Sequence, residues 1–243
     1  MMRPSSAAPT LRVERRMLRS GLVAVCGVDE VGRGALSGPT TVGVVLVTPG
    51  TRTAPQGVRD SKLLTPGARR ALVPRILRWA AASAVGHASP AEIDELGIVA
   101  ALRLAGHRAL AALPELPDAV LLDGSHDYLT PPEQPTLFET PRVLERVPPV
   151  VTLVKADLAC ASVAAASVLA KTARDAIMVR LAAEYPQYRW DENKGYAAPE
   201  HLEALQRYGP TVHHRLSWRL PAELDRSPAA HGIVAGEVGG LVR

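Results

Sequence analysis

Short apolar runs, rich in valine, leucine and alanine, constrain the fold of this chain more than any other feature. They lie at residues 22–28, 41–47, 82–88, 119–122 and 150–154. Runs of this length and composition are typical of β-strands, and the first two predict an antiparallel pair. Segments with helical character lie at residues 66–79, 90–113, 158–184 and 199–208. This order predicts one α/β domain with a mixed central sheet flanked by helices.

Three of the predicted strands end in acidic residues. Asp29 and Glu30 follow the first apolar run, Asp123 ends the fourth, and Asp157 comes shortly after the fifth. One such acid is usually structural, and Asp29 and Glu30 could simply cap their strand and bond to Arg33. Acids at the ends of several neighbouring strands, however, converge on one site, where they repel one another unless a cation binds between them.

The residue types favour oxygen ligation of a hard divalent cation. No His and Cys residues have the spacing of a zinc site, whereas Mg²⁺ and Mn²⁺ prefer carboxylate ligands. Carboxylates that hold two such ions about 4 Å apart suit the hydrolysis of a phosphodiester, because one ion activates water and the other stabilises the leaving oxygen. The pattern therefore favours metal-dependent chemistry on a phosphodiester.

Composition and charge indicate which classes of partner the chain can bind and in which compartment it works. With 47% apolar residues the chain can bury a sizeable core, and its net charge of +4 and pI near 9.3 favour a polyanionic partner. Cys26 and Cys160 lie in apolar segments without a spacing motif, which is typical of a reducing compartment. No secretory signal and no membrane-spanning run is visible, so a cytoplasmic protein without a membrane partner is expected.

The two ends of the chain differ from its middle. Residues 1–20 hold five arginines and one glutamate, which predicts a flexible basic N-terminal arm. Residues 221–243 are rich in alanine and glycine without a strong period, which predicts a loosely attached tail. The predicted catalytic domain is residues 21–220.

Six motifs occur in one order along the chain. They are DEVGRG at 29–34, DSK at 60–62, LLDG at 121–124, AAASVLAKTARD at 164–175, KGY at 194–196 and HHR at 213–215. Any one of them is weak, but together they resemble ribonuclease HII, the type 2 ribonuclease H of bacteria. The resemblance runs from about residue 23 to residue 220, which is most of the chain.

The resemblance implies a ribonuclease H-like fold with a helical C-terminal portion. It implies an endonuclease that hydrolyses the RNA strand of RNA–DNA hybrids and cuts at ribonucleotides embedded in duplex DNA. The products would carry a 3′-hydroxyl and a 5′-phosphate, the cofactor would be Mn²⁺ or Mg²⁺, and the cellular roles would be DNA replication and ribonucleotide excision repair. A monomer is expected.

The catalytic and metal-binding acids of that family match Asp29, Glu30, Asp123 and Asp157. Asp29 would bridge both ions, flanked by Asp123 and Asp157. Glu30 faces the opposite side of a regular strand from Asp29, which leaves open whether it ligates by its side chain, its carbonyl or a water.

The resemblance also implies which residues contact the substrate. Gly32, Arg33 and Gly34 would read the 2′-hydroxyl, because glycines let backbone N–H and C=O groups approach the ribose closely. Tyr196 would stack on the sugar at the RNA–DNA junction, although it could also be an ordinary half-buried tyrosine.

Lysine usage adds to the list of substrate contacts. Among 28 lysine and arginine residues only four are lysines, namely Lys62, Lys155, Lys171 and Lys194, and all four fall in motif-like segments. One interpretation is that these few lysines remain in an arginine-rich chain by chance. The other is that a compact ammonium is needed there. Lys62 and Lys194 would then contact phosphates, while Lys171 either does the same or joins a buried polar network.

The chain departs from the family pattern at three positions. Ala156 stands before the fourth acid where the family usually has glycine, which reduces backbone freedom beside Asp157. Ala35 replaces a common proline after GRG, and Trp218 replaces the usual phenylalanine after HHR. No acid is lost, so activity is expected.

Three other classes of protein fit the sequence less well. Ribonuclease HIII has a substantial extra N-terminal domain, for which the residues before the first strand are too few. A hybrid-binding module of the same fold without catalysis conflicts with the four acids. A small-molecule phosphohydrolase would have nothing that matches GRG or KGY. No sliding-clamp peptide, a glutamine followed by paired aromatics, is visible in either tail.

Overall fold

The computed structural model describes residues 8–132 and 143–221. Within these residues, five strands form one sheet in the order β3-β2-β1-β4-β5. The strands are β1 (Val25–Val31), β2 (Thr40–Val47), β3 (Ala82–Ala88), β4 (Ala119–Asp123) and β5 (Val150–Leu153). β1, β2 and β3 pair antiparallel, whereas β4 pairs parallel to β1 and β5 parallel to β4. The mixed sheet and the antiparallel first pair predicted from sequence are confirmed.

Helices cover both faces of this sheet. They are α1 (Arg12–Arg19), α2 (Pro66–Trp79), α3 (Pro90–Leu96), α4 (Ile98–Ala111), α5 (Ala156–Ala159), α6 (Ala161–Glu184), α7 (Trp190–Asn193) and α8 (Pro199–Tyr208), with 3₁₀ turns at Ser61–Leu63 and Pro186–Tyr188. None of the helices in the described ranges is long and apolar enough to cross a membrane.

Helix α6 packs closely on one face of the sheet. A Cβ atom on Gly27 of β1 would lie 2.5 Å from the backbone of Ser162 and Val163, and one on Gly43 of β2 would overlap the carbonyl oxygen of Ala166. Glycine on the strands and alanine on the helix therefore allow the two backbones to approach each other. The 24 residues of α6 span about 36 Å, so the helix continues past the end of β1.

Helix α4 covers the other face, and side chains of β1 alternate between the two layers. Cys26 and Val28 belong to the core on the α4 side, whereas Val25 packs with the start of α6. Because successive strand residues point to opposite faces, Asp29 lies on the α6 side and Glu30 on the α4 side.

The helix predicted at 90–113 is two helices. Gly97 ends α3 and precedes α4 with φ of 76° and ψ of 160°, a conformation that interrupts a helix and that only glycine adopts without strain. The apolar spacing continues through the break, so periodicity alone predicts one helix.

The helix predicted at 158–184 is also interrupted. The short helix α5 comes first, and Cys160 then takes an extended conformation with φ of −108° and ψ of 121° before α6 begins. The extended backbone pairs with Thr10, whose N–H donates to the Ala159 carbonyl at 3.0 Å and whose carbonyl accepts from the Ala161 N–H at 3.1 Å. A partner about 150 positions away therefore determines this break.

The segment predicted to be a flexible arm contains the packed helix α1. Leu11 and Leu18 are buried, and the buried carboxylate of Glu14 accepts hydrogen bonds from the N–H of Ser162 at 2.9 Å and from its hydroxyl at 2.8 Å. The sequence prediction rested on the arginines, of which Arg12, Arg15, Arg16 and Arg19 are exposed in the described part of the chain, and missed the inward residues. Residues 1–7, and the predicted tail after its first residue, lie outside the described ranges.

Candidate active site

Asp29, two residues before the end of β1, and Asp123, at the end of β4, lie on adjacent parallel strands. Val28 of β1 pairs with Leu122 of β4, so the two aspartates are the next residues along neighbouring strands. Asp29 is only 6% exposed on the α6 side of the sheet. The strand order thus places together two acids that are 94 positions apart in the chain, as the sequence predicted for strand-end acids.

Asp157 joins them from the first turn of α5 rather than from a strand. The Asp123 carboxylate accepts the Ala156 N–H at 2.7 Å and the Asp157 N–H at 3.4 Å, so Asp123 holds the start of that helix. The left-handed residue that makes the turn possible is Lys155, with φ of 59°. Ala156 itself is helical, so the loss of glycine at that position costs no backbone strain.

Glu30 occupies the α4 side of the same strand end. The Tyr128 hydroxyl donates to its Oε2 at 3.4 Å, and the Arg33 guanidinium lies 4.0 Å from its Oε1. Glu30 is therefore separated from Asp29 by the backbone of β1, with its own partners.

Burial and mutual repulsion raise the pKa of three of these acids. The pKa of Asp29 lies well above its ordinary value, first because of burial and then because of the charges of Glu30 and Asp123, although a hydrogen bond from Ser167 opposes this. Burial also raises the pKa of Glu30 and of Asp157, and the charge of Asp123 adds to both effects. The site thus concentrates more negative charge than its own hydrogen bonds compensate.

Lys62 is the lysine that faces these acids. Its Nζ lies 4.0 Å from Oδ2 of Asp157, while its side chain stays 78% exposed. Partial burial lowers the pKa of Lys62, but surrounding carboxylates outweigh that effect and raise it. Those carboxylates are Asp60, Asp29, Asp157 and Asp123.

The donor atoms fit a hard cation, although they do not yet enclose one. Across residues 8–132 and 143–221, no three His, Cys, Asp or Glu side chains are grouped so that they could hold a metal ion as they stand. Oδ1 of Asp29 accepts the Glu30 N–H at 2.9 Å, and Oδ1 of Asp123 is engaged with α5. The available ligands are all carboxylate oxygens, which suits Mg²⁺ or Mn²⁺.

Two buried arginines hold the loop that follows β1. Arg215 donates to the carbonyls of Gly32 at 2.5 Å and Arg33 at 2.8 Å. Arg174 of α6 donates to the carbonyls of Ser37 at 3.0 Å, Pro39 at 2.9 Å and Lys194 at 2.8 Å. Since carbonyls supply these bonds, burial lowers the pKa of Arg215 to about 9. We name residues 32–39 the GRG loop.

The GRG loop lies between the KGY turn and the HHR motif. The N–H of Leu36 donates to the Gly195 carbonyl at 2.8 Å, and the N–H of Gly38 donates to the His213 carbonyl at 2.8 Å. The N–H of Arg215 donates back to the Leu36 carbonyl at 3.0 Å. Three motifs that are far apart in sequence therefore form one backbone-bonded unit.

Tyr196 is placed at the surface of this unit. Its ring is 36% exposed, with the Arg174 guanidinium 5.3 Å and the Lys171 ammonium 5.8 Å from the ring centre. Lys171 itself bonds to Asp175 at 2.7 Å, and Asp175 also pairs with Arg69 at 3.3 Å, so Lys171 belongs to a buried polar network.

The remaining predicted substrate residues differ in their exposure and in the contacts that they already make within the protein. Arg33 and Gly34 are exposed, whereas Gly32 is buried against Arg174. Lys194 has a left-handed backbone with φ of 53°, and its ammonium contacts the carbonyl of Asp191 in the preceding turn.

The chain resembles known ribonucleases over most of its length. The family profile described as ribonuclease HII matches residues 26–220. The chain belongs to the ribonuclease HII family. A ribonuclease HII of Streptomyces avermitilis is 47% identical over 221 residues, which cover 90% of this chain and 86% of the relative. The resemblance predicted from the six motifs is confirmed, and with it a type 2 ribonuclease H endonuclease.

Solved structures of ribonucleases H share the fold. Ribonuclease H2 of Pyrococcus horikoshii superposes with a TM-score of 0.65 at 26% identity, covering 83% of this chain and 97% of the other. A Bst ribonuclease HIII solved in complex with Mn²⁺ superposes with a TM-score of 0.62 at 22% identity, covering 91% of this chain and 72% of the other. The ribonuclease H-like fold predicted from sequence is confirmed.

Several supporting residues of the ribonuclease HII site were not predicted from sequence. Tyr128 comes from a Pro-rich loop that gave no signal. Ser167, which lies beside Asp29 and whose hydroxyl donates to the Ser61 hydroxyl at 2.9 Å, is one small residue in an alanine-rich helix. Arg174 and Arg215 fall inside the motifs, but the sequence does not show that they are buried or that their partners are backbone carbonyls.

Proposed function

We propose that this chain hydrolyses the RNA strand of RNA–DNA hybrids and cuts at single ribonucleotides embedded in duplex DNA. The observation that carries the proposal is the pairing of two units along α6. Asp29 lies beside Ser167 in the second turn of this helix, and the GRG loop and Tyr196 lie beside Arg174, two turns later. One rigid helix thus packs against both the proposed metal site and the proposed ribose-reading residues, which supports a single site for cleavage and recognition.

The carboxylates Asp29, Glu30, Asp123 and Asp157 would hold Mg²⁺ or Mn²⁺. Two such ions supply activation of the attacking water and stabilisation of the leaving oxygen when bound. The raised pKa of Asp29 and its neighbours supports this role, because a bound cation relieves the repulsion that burial and like charge create. Asp29 and Asp123 would turn from their present hydrogen bonds towards the metal.

Backbone access at Gly34 supports the reading of the ribose. A Cβ atom added to Gly34 would have no neighbour within 4 Å, and its φ is not in the left-handed region. Among residues 8–132 and 143–221, no contact and no backbone strain requires glycine at this position, which supports close approach of a substrate there. The 2′-hydroxyl both donates and accepts, and it is the group that distinguishes RNA from DNA.

The cations nearest these groups would contact the phosphate backbone. Arg33 is exposed beside the GRG loop, and Lys62 extends over the acids. Lys194 would need to leave the carbonyl of Asp191 before it could bind a phosphate. Tyr196 would stack on the sugar at the RNA–DNA junction. Contacts to phosphate position the duplex, while the contact to the 2′-hydroxyl selects the cut.

A DNA duplex with one ribonucleotide tests the proposal. The purified protein with Mn²⁺ or Mg²⁺ should cut beside the ribonucleotide and leave a 3′-hydroxyl and a 5′-phosphate, whereas the all-DNA duplex should stay intact. Asp123→Asn should bind the same duplex without cutting it. If the wild-type protein binds but never cuts, the chain is a hybrid-binding module and the proposal is wrong.

A further inference from the structure

Two buried histidines connect the HHR motif to the KGY turn. Nδ1 of His201, on α8, lies 2.8 Å from the Tyr196 carbonyl, and its Nε2 lies 3.1 Å from Nε2 of His214. Nδ1 of His214 lies 2.9 Å from the N–H of Thr211. His201 and His214 are at most 1% exposed.

Two groups that can only donate determine where the ring protons lie. The Thr211 N–H points at Nδ1 of His214, so this nitrogen must accept and the proton of the neutral ring sits on Nε2. The Trp190 indole N–H points at Nε2 of His201 at 3.2 Å, so that nitrogen also accepts. The proton of His201 therefore sits on Nδ1 and is donated to the Tyr196 carbonyl.

The result is a one-way chain of hydrogen bonds. It runs from the Thr211 N–H through His214 and His201 to the carbonyl of Tyr196. Burial keeps both rings neutral, since it lowers the pKa of His214 to about 3 and lowers that of His201. We name Thr211, His214 and His201 the histidine relay.

The relay bonds the last carbonyl of the KGY turn, whereas Arg174 and the GRG loop bond the carbonyls of Lys194 and Gly195 before it. Lys194 and Gly195 both have left-handed backbones, with φ of 53° and 83°, and the Tyr196 carbonyl that follows them accepts only a further N–H, from Ala198 at 2.8 Å, among the described contacts. Tyr196 is 36% exposed, and its ring lies beside Arg174 and Lys171. Fixing its carbonyl fixes the direction in which the ring leaves the backbone.

We propose that His201 and His214 are positioning residues for Tyr196: their neutral, one-way relay sets the KGY turn so that the tyrosine ring meets the sugar at the cut site. The inference rests on the proposed function, because it assumes that Tyr196 contacts the substrate. Neither histidine touches the substrate itself.

Nuclear magnetic resonance tests the relay without any activity. Ring ¹⁵N shifts at neutral pH should show His201 protonated on Nδ1 and His214 protonated on Nε2. His201 protonated on Nε2 would overturn the inference, whatever the enzyme cuts.

A double-mutant cycle tests the positioning role. His201→Leu should slow cleavage of a single-ribonucleotide duplex by roughly three- to tenfold, the effect of one lost hydrogen bond. In the Tyr196→Ala background the same change should cost nothing more, because no ring is left to position. His201→Asn, whose amide can donate where Nδ1 did, should restore most of the loss.

Controls separate positioning from general damage. His87→Leu removes a partly buried histidine of β3 that is bonded to Thr41 of β2, outside the relay, and should affect single-ribonucleotide and hybrid cleavage alike and slightly. If His201→Leu costs the same with and without Tyr196, its role is only structural and the inference is overturned. If Tyr196→Ala leaves cleavage unchanged, the proposed role of Tyr196 and the inference are both wrong.

Discussion

Gly32 and Gly34 stand two positions apart in the GRG loop, yet their surroundings differ. Gly32 has φ of 84°, and a Cβ atom there would overlap the Arg174 side chain, whereas Gly34 faces open space. The sequence treats the two glycines as one motif. The structure separates a glycine that the fold needs from one that it does not.

Substitution by alanine should divide their roles. Gly34→Ala should leave the free energy of unfolding within about 0.5 kcal/mol of wild type, yet reduce cleavage at a single ribonucleotide roughly tenfold or more. Gly32→Ala, the matched control, should destabilise by about 1–3 kcal/mol because of backbone strain and overlap. Urea unfolding and a cleavage assay measure both. Normal cleavage by Gly34→Ala would contradict close approach of the ribose.

Replacement of Asp29 by asparagine should abolish activity and at the same time stabilise the folded protein. The pKa of Asp29 is raised in the folded protein, so the folded state loses stability as pH rises from the unfolded pKa through the folded one. Asp29→Asn should therefore abolish cleavage and raise the melting temperature in EDTA at pH 7. The gain should vanish near pH 3, where the acid is protonated in both states. A lower melting temperature at pH 7 would contradict the charge-repulsion account.

Helix α1 differs most from its sequence prediction, because a segment predicted to be flexible packs against the core. Glu14→Ala removes the acceptor for the Ser162 N–H and hydroxyl, and should cost about 1–3 kcal/mol of folding free energy. Arg15→Ala on the exposed side of the same helix should stay within about 0.5 kcal/mol. Urea unfolding compares the two. Equal effects would show that docking of α1 contributes nothing to stability.

Element boundaries were predictable where local chemistry determines them. Thr65 caps α2 before Pro66, and its hydroxyl accepts the Ala68 N–H, as the Thr-Pro pair indicates. The breaks at Gly97 and Cys160 were missed for different reasons. At Gly97 the signal was one glycine inside a continuing apolar period. At Cys160 the cause is Thr10, and no local pattern reports a distant backbone partner.

For the whole molecule, the positive charge predicts salt-dependent binding. Raising salt from 50 to 200 mM should weaken duplex binding by roughly three- to fourfold for each phosphate contacted, while kcat changes far less. Lys62→Gln should reduce the slope of log KM against log salt concentration by about one, which corresponds to the loss of one phosphate contact. Titrations of KM against salt measure this. A KM that does not depend on salt concentration would show that the lysine and arginine side chains contribute nothing to binding.

The positions of the acids were predictable because a sheet brings strand ends together, whatever the intervening chain does. The clamps Arg174 and Arg215, and the histidine relay, were not, because each joins parts of the chain that only the finished packing brings into contact. Arg174, His214 and Arg215 belong to the motifs found in the sequence, whereas His201 and Thr211 belong to none. The partner carbonyls of Gly32, Ser37 and Tyr196 carry no signal in their residue types.

The sheet order also dictates when this enzyme can become active during its own synthesis. β1, β2 and β3 are the first strands made and pair with one another, but β1 gains β4 only after Asp123 has left the ribosome. Glu14 gains its partner Ser162 later still, because Ser162 is synthesised 148 positions after it. In a nascent chain of that length, β1, β2 and β3 are all present, but one side of β1 has no partner strand. The proposed active site is completed last, when Tyr196 and Arg215 emerge.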